Sequence, residues 1–362
     1  MLRTLQNLSI GSSRAFATSS QPAVLAPSSS LLDSALFDDV RSRVSQNGRT
    51  MKKILVTVVN RDGSKKECLM NKNISTAFDC AKRELVYVLY QRISEMTPHH
   101  ITCKISDFFF PMIGCIYLDF NMLWAKRTVL ALTSYSEHDV QLECMNEPLR
   151  DKCSIELLDF QNEDYAEQIS KAYWRSCSIL LAAVLSAGLR DKISVSGLYN
   201  KVEKSYFAVD IVGLNDSLSP SDLRDLSWFA RSEFVSSDIP FETVFVPQEL
   251  ACDYGLKTRQ VLQCLRTYYL LTVFGQSFLT NEFEVKHTVV RLCRLGNFVT
   301  AIDGPVISRS DQVGRFSIVK TISKGDVTHV GGVSLPAAQK TSSFLWEKIV
   351  ENARDVCFKK ID

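Results

Sequence analysis

Histidine and cysteine side chains do much of the chemistry that proteins perform near neutral pH, and this chain has five histidines and eleven cysteines. His99 and His100 are adjacent rather than four residues apart, so their rings cannot share one helix face as a zinc-binding pair would. No two cysteines form a CxxC pair. Cys177 has serines on both sides and no histidine near it in sequence, which favours a buried thiol over a nucleophile. We therefore predict neither a metal site nor a catalytic residue.

Sequence motifs for nucleotide binding and hydrolysis are also missing. The chain has no GxxxxGK[ST] loop, no GxGxxG and no GxSxG. We predict no cofactor and no small-molecule substrate. Lysine and arginine number 42 against 40 acidic residues, so the net charge of +2 excludes a free-standing clamp that holds nucleic acid by charge alone. The 46% of hydrophobic residues is enough to form a buried core.

Residues 1–32 have the composition of a targeting segment. They contain no aspartate or glutamate, they include Arg3 and Arg14, they are rich in serine and threonine, and their leucines recur at helical spacing. This pattern is typical of a mitochondrial transit peptide, which we expect to be cleaved close to Phe16. A serine-rich tail without targeting meaning is the alternative. The prediction places the protein in the mitochondrial matrix.

The rest of the chain predicts an α+β protein of two domains. Residues 33–51 are polar with one short periodic apolar patch, which indicates a lone helix or a linker. Residues 52–160 open with a strand, an Asp62-Gly63 turn, a second strand and a capped helix, which is the start of a β-grasp fold. The elements predicted for this domain are strands at 53–59, 65–70, 129–132 and 153–160, and a loop with a serine or threonine cap followed by a helix within 73–81.

An apolar segment interrupts the first domain at about residues 83–121. Its run 108–118 is shorter than the ~20 residues that a membrane span needs, so we predict no membrane association. Three interpretations remain open: a buried extension, an arm that binds a partner, or translated sequence that does not belong to the mature product. We favour the third. A second apolar segment, at about residues 257–275, has the same character.

Residues 165–357 predict a second α+β domain, joined to the first by a short linker at about 161–164. The helix predicted at 341–357 places its apolar residues on one side. Those residues are Phe344, Leu345, Ile349, Ala353 and Val356. The other elements predicted are helices at 167–189 and 223–234 and strands at 204–212, 241–246, 289–295, 298–302, 316–321 and 328–334.

The two domains resemble two modules of threonyl-tRNA synthetases. The segment 62–64 with 74–81 is similar to the TGS module at the start of those enzymes, and the second domain is similar to their editing domain. In that family a helix carries HxxxH after an aromatic residue. A later loop carries a cysteine two residues before Gly-Pro and a histidine directly after it. The resemblance places Arg175 and Ile179 at the two helix histidines, Ile302 at the cysteine and Val306 at the last histidine.

These four replacements imply an editing site that has lost its chemistry. A hydrolytic pocket needs groups that hold a water molecule and move a proton near neutral pH. Isoleucine and valine do neither, and arginine stays protonated throughout that range. The resemblance therefore implies a protein that is not an enzyme, in which apolar packing fills the former pocket.

A second resemblance is to the synthetase-like structural proteins of the mitochondrial large ribosomal subunit. It is carried by the stretches 70–76, 171–177 and 332–336, and it spans about 53–356 apart from the two apolar segments. It implies a structural role in mitochondrial translation, with other large-subunit proteins as partners and ribosomal RNA as a further one. Lys126, Arg127 and Arg175 are the candidate RNA contacts. A tRNA-binding regulator and a trans-editing hydrolase of mischarged tRNA are the alternatives.

Overall fold

The structure is a computed structural model that describes residues 29–46, 52–59, 63–82, 125–200, 206–247 and 289–358. Residues 1–28 of the predicted transit peptide and both predicted insertions lie outside the described residues. The helices are α1 (Ser29–Gln46), α2 (Ala166–Gly188), α3 (Pro220–Phe229) and α4 (Ser343–Val356), with a π-helical turn at Ala230–Val235 and a 3-10 turn at Ser310–Gln312. The strands are β1 (Lys53–Val59), β2 (Lys65–Asn71), β3 (Thr128–Ser136), β4 (Asp139–Cys144), β5 (Cys153–Asp159), β6 (Ser194–Tyr199), β7 (Phe207–Val212), β8 (Glu242–Pro247), β9 (Val289–Leu295), β10 (Phe298–Ile302), β11 (Val313–Lys324) and β12 (Val327–Pro336). The predicted mixed α+β class is confirmed.

The first sheet has the strand order β2-β1-β5-β3-β4. Strand β1 pairs antiparallel with β2 and parallel with β5. Alternate residues of β1 are buried, as expected for a strand with one face on the core. Residues 77–82 form a helical segment after β2, and the Thr76 and Asp79 side chains cap its start by accepting each other's backbone N–H at 3.2 and 3.0 Å.

Two further sheets follow, with strand orders β10-β9-β8 and β11-β12-β7-β6. Helix α1 packs on the first of these, where Phe37 and Val40 are buried beside Val244, Val290 and other apolar side chains. Helix α1 begins at Ser29, which lies inside the segment predicted as a transit peptide. The region predicted as a lone helix or linker therefore contributes to a core.

Helix α2 is the central element of the largest core cluster. All residues from Ser176 to Leu185 are buried, because this half of the helix is covered on every side. The cluster also includes Val129 and Leu158 of the first sheet and Val209 of the last. The core therefore continues across residues 161–164, where the sequence predicts a linker between domains.

Helix α4 differs from the predicted amphipathic arrangement. Phe344, Leu345 and Val356 are exposed, and Ala353 is the residue of this helix that is buried. The sheet side of the helix is completed by half-buried side chains of Trp346, Ile349 and Val350. Ile349 and Ala353 of the predicted face therefore pack as expected, but Phe344, Leu345 and Val356 do not, since apolar residues occupy much of the helix circumference and periodicity alone does not select the packed part.

No helix within the described ranges is both long and apolar enough to cross a membrane.

Candidate functional site

The residues that the resemblance singled out lie where the first half of α2 faces the loop after β10. The Arg175 guanidinium crosses this contact: Nε donates to Asp303 Oδ1 and Nη1 donates to the carbonyl oxygen of Pro305, both at 2.6 Å. The Arg175 side chain is 14% exposed. A Cβ atom at Gly304 would lie 2.7 Å from Arg175 Nη2, so a side chain at this position would displace the guanidinium from its two acceptors.

A second link joins helix and loop one residue further along. The backbone N–H of Ile307 donates to Ser176 Oγ at 2.9 Å, and that hydroxyl donates to the carbonyl of Ala172 at 2.8 Å. The N–H of Val306 points to Cys144 Sγ of the first sheet, 3.3 Å away. The backbone of this loop is therefore held by partners on two different elements.

The three apolar positions are buried within one core cluster. Ile179 and Val306 are fully buried and Ile302 is nearly so. The four predicted positions thus lie on α2, at the end of β10 and in the loop after it, and the three apolar ones share one core cluster. None of these four side chains can activate a water molecule there.

Buried thiols near this contact are protonated at neutral pH. Burial raises the pKa of Cys177 to about 12 and that of Cys144 to about 11, and it raises the pKa of Cys293 well above its usual range. A thiol reacts as a nucleophile in its thiolate form, so these groups are inert. Across the described part of the chain, no cluster of histidine, cysteine, aspartate and glutamate is suited to hold a metal ion.

The candidate RNA contacts have different surroundings. Lys126 Nζ lies 2.6 Å from Asp238 Oδ2, and the Arg175 guanidinium is directed into the helix–loop contact. Arg127 is exposed. This placement gives Lys126 and Arg175 intramolecular partners and leaves Arg127 as the one of the three that faces solvent.

Two buried amides connect the first sheet to the second half of the chain. Asn146 Nδ2 donates to the carbonyls of Ser308 at 2.6 Å and Phe241 at 3.1 Å. Gln312 Nε2 donates to the carbonyls of Thr128 at 2.7 Å and Lys126 at 2.8 Å. Sequence reasoning missed both residues, because an isolated amide in a loop gives no periodic signal. Their role is to satisfy buried carbonyls and so to fix the junction.

A buried ion pair lies beside these amides. Arg291 of β9 places Nη2 3.4 Å from Glu147 Oε2, and the side chains are 13% and 2% exposed. The guanidinium also lies 4.6 Å from the centroid of the Phe245 ring. Neither Glu147 oxygen has a hydrogen-bond partner, and burial raises the pKa of this carboxyl although Arg291 opposes the shift. A charge in this position depends strongly on its one close counter-charge.

The contact of Arg175 with the loop after β10 can be tested with a double-mutant cycle. Arg175→Ala is expected to cost about 2–3 kcal/mol of unfolding free energy, because it leaves Asp303 and the Pro305 carbonyl without these donors. Gly304→Ala is expected to cost about 1–3 kcal/mol through overlap with the guanidinium. Together they should cost less than their sum, because the overlap disappears with Arg175. Urea denaturation measures all four proteins.

The matched control is Lys171→Ala on the same helix. Lys171 pairs with Glu167 across one exposed helical turn, so its loss should leave the free energy of unfolding nearly unchanged. Strict additivity of Arg175→Ala and Gly304→Ala would contradict a close contact between these two residues.

A second prediction concerns the acidic pair Asp311 and Asp238. Partial burial and the neighbouring Asp238 charge raise the pKa of Asp311 from 3.8 to about 6, although Lys126 and Arg309 lower it. A carboxyl whose folded pKa is raised stabilises the fold fully below its unfolded pKa, and this contribution is lost as pH rises through about 6. Asp311→Asn should therefore be more stable than wild type by about 1–2 kcal/mol at pH 7.5, after allowance for solvent screening, and equal to it near pH 4.

Thermal unfolding of both proteins between pH 4 and 8 checks this expectation. A difference in Tm that does not change with pH would show that Asp311 does not titrate as described.

Comparison with known proteins relates the chain distantly to a protein of known class. The fold and the site define a mixed α+β protein whose central helix–loop contact is built from structural rather than reactive groups. No protein-family model matches the chain. The chain is 23% identical over 224 residues to the large ribosomal subunit protein mL39 of Drosophila melanogaster. The match covers 59% of this chain and 61% of mL39, so the chain spans less than two thirds of the length of that relative.

Proposed function

We propose that this chain is a non-catalytic structural component of the mitochondrial large ribosomal subunit, where it supports translation. The similarity to mL39 favours this class of protein. The observation that carries the non-catalytic part is the set of side chains at the positions that the synthetase resemblance assigns to editing chemistry. Arg175 is held there by hydrogen bonds to Asp303 and Pro305, and Ile179, Ile302 and Val306 are buried. A site filled in this way contributes shape and stability.

The proposal includes the domain organisation. We assign residues 52–160 to a TGS-like β-grasp domain and residues 165–357 to a degenerate editing-like domain. The strand order β2-β1-β5-β3-β4, with β1 parallel to β5, supports the first assignment, since a β-grasp sheet places its first and last long strands side by side. The segments at about 83–121 and 257–275 are proposed as additions of the gene model, which transcript sequencing across both junctions would test.

The proposal also includes the location and the partners. Residues 1–32 would direct the chain to the mitochondrial matrix, and other proteins of the large subunit would surround it. The balance of 42 basic and 40 acidic residues supports a peripheral position with mainly protein neighbours over deep burial in RNA. Ribosomal RNA would be a local partner, and Arg127 is the exposed member of the three candidate contacts.

Sedimentation tests the ribosomal assignment. Mitochondria that contain a tagged copy of the full chain are lysed and fractionated on a sucrose gradient, with dissociation of the subunits by EDTA as the control. We expect the chain to migrate with the large subunit and to stay with it after the subunits separate. A peak only at the top of the gradient would reject the assignment and leave a soluble tRNA-binding regulator as the better interpretation.

A deacylation assay tests the hydrolase alternative. The purified chain is incubated with seryl-tRNA in the presence of zinc, beside a protein-free control. We expect the same slow release of serine in both reactions. Turnover that depends on the chain would overturn the non-catalytic proposal.

A further inference from the structure

Helix α3 and the π-helical turn after it carry one exposed tryptophan and two exposed arginines. Trp228 is 70% exposed. The other described tryptophans, Trp174 and Trp346, each contact aromatic rings or an arginine. Trp228 makes no ring contact with any residue in the described ranges. Its indole therefore offers a flat apolar face to an outside partner.

Two arginines lie close to Trp228 along the chain. Arg224 is four residues before Trp228 and Arg231 three residues after it, and both are exposed. Four residues make about one α-helical turn, which places Arg224 on the helix face of Trp228, and Arg231 follows on the π-helical turn Ala230–Val235. Within the part of the chain that the structure covers, no carboxylate lies within ion-pair distance of either guanidinium. Asp225 and Glu233 are also exposed on this segment. With a rotation of ~100° per α-helical residue, Trp228 lies between Arg224 and Asp225 around the helix axis.

The helix that carries these side chains is rigidly placed. The Ser219 side chain accepts the backbone N–H of Asp222, and the Asp222 carboxylate accepts that of Ser219, which forms a capping box. Ser227 Oγ accepts the N–H of Ile318 on β11 at 2.9 Å. Leu226 is fully buried on the opposite side of the helix. A platform fixed in this way loses little conformational freedom when it binds.

The chemistry of this surface fits an unpaired nucleotide. Exposed aromatic rings stack on the bases of single-stranded RNA, and guanidinium groups pair with phosphate oxygens through their fork of N–H donors. Arg224 and Arg231 are seven residues apart, or ~10 Å along the axis, with the indole between them. This order, charge, ring, charge, matches the alternation of phosphates and bases along one strand.

We propose that Arg224, Trp228 and Arg231 form a contact for an unpaired nucleotide of single-stranded RNA, with its base stacked on the indole and its flanking phosphates bound by the arginines. The inference rests on the proposed function, in which ribosomal RNA is a local partner of the chain. It names a contact separate from Lys126, Arg127 and Arg175. It also gives the second half of the chain a role other than packing.

Fluorescence anisotropy with a labelled ten-nucleotide oligouridylate tests the contact on the full chain. Trp228→Ala is expected to weaken binding about tenfold or more, because one stacked base is lost, whereas Trp228→Phe should stay within about threefold of wild type. The double substitution Arg224→Gln with Arg231→Gln should weaken binding and reduce the dependence of log K on log salt by about 1–2, as expected for two lost phosphate contacts.

The matched control is Phe344→Ala on α4. Phe344 is 63% exposed on another element, so its removal should leave the affinity unchanged. Thermal unfolding of each variant verifies that the fold is retained. Absence of oligouridylate binding by the wild-type chain, or equal binding by wild type and Trp228→Ala, would overturn the proposal.

Sedimentation separates this proposal from the proposed function. If the Trp228→Ala variant no longer migrates with the large subunit but keeps wild-type affinity for oligouridylate, the RNA contact is overturned and the surface is identified as one that binds a protein. A wild-type chain that binds oligouridylate through Trp228 but peaks at the top of the gradient would reject the ribosomal assignment and support the contact.

Discussion

Replacement of Arg291 by methionine should lower the free energy of unfolding by about 3–5 kcal/mol at pH 8. Removal of one partner of a buried ion pair leaves the other charge without compensation, and this loss is larger than the net contribution of the pair itself. Glu147 is 2% exposed and its carboxylate has no hydrogen-bond partner, so after Arg291 is removed only weaker interactions, such as that with the Arg150 charge, oppose the cost of its burial. Urea denaturation followed by tryptophan fluorescence measures the loss.

The effect should depend on pH in a defined direction. Burial already raises the pKa of Glu147, and removal of the Arg291 charge raises it further. A carboxyl with a raised folded pKa contributes stability that is lost as pH rises through that pKa. Arg291→Met should therefore be less destabilising at pH 5, where Glu147 is more readily protonated, than at pH 8.

The compensating control is Arg291→Met combined with Glu147→Leu. Well-packed apolar residues often replace a buried ion pair at no cost or with a gain, so the double variant should recover most of the stability. A double variant as unstable as Arg291→Met alone would show that the guanidinium acts through its contact with the Phe245 ring rather than through the charge of Glu147.

Local elements could be predicted where the sequence carries a local signal. The β-rich run at 53–59 and the Asp62-Gly63 pair predict the first hairpin, and the structure has β1 and β2 there. Ser219 followed by Pro220 predicts the start of α3, and its capping box is present. After Phe229, however, the helix continues as a π-helical turn, which the apolar period up to Phe234 does not reveal.

Strands with little apolar character were missed. Strand β4 consists of Asp139–Cys144 at the edge of its sheet, and its buried residues are confined to one end. Strand β6 contains two serines and a glycine and also lies at an edge. Edge strands pack on one neighbour only, so their sequences are under weaker demand for apolar residues. Periodicity therefore has little to detect in them.

The site residues needed a resemblance to be found, and their interactions needed the fold. Nothing in the local sequence relates Arg175 to Asp303, which are 128 positions apart. The same is true of Asn146 and Ser308, at a separation of 162. Periodic patterns report which face of an element is apolar, but they do not report which distant loop will cover it. The partners of buried polar groups are therefore the part of this site that sequence reasoning could not supply.

The loop after β10 joins several elements of the fold, and this structural role is compatible with apolar residues in it. Within ten residues, Asp303 and Ile307 contact α2, Ser308 contacts Asn146 just after β4, and Gln312 reaches back to the strand that begins at Thr128. A loop held on so many sides cannot open readily to admit a substrate. Its rigidity is consistent with a protein that presents a fixed shape to its neighbours.

Ile179→His is expected to cost about 3–4 kcal/mol at pH 7.5, and it tests whether this contact is sealed. Ile179 is fully buried among apolar side chains, so an imidazole there would lose the packing of isoleucine and bury a polar ring among apolar side chains. Ile179→Val is the matched control and should cost about 1 kcal/mol, since it removes one methylene without adding a polar group.

The pH dependence of this variant distinguishes a sealed core from a wet pocket. A histidine in an apolar core has a folded pKa below the usual ~6.5, because burial disfavours the imidazolium. Its neutral form must be kept in the folded state while the unfolded chain takes up a proton, so Ile179→His should lose about 1 kcal/mol more at pH 5.5 than at pH 7.5. A sealed contact also leaves no space for zinc or a substrate. If Ile179→His unfolds like wild type at both pH values, gains stability with zinc or releases serine from seryl-tRNA, then water reaches this position, and the interpretation of the helix–loop contact as a structural junction is wrong.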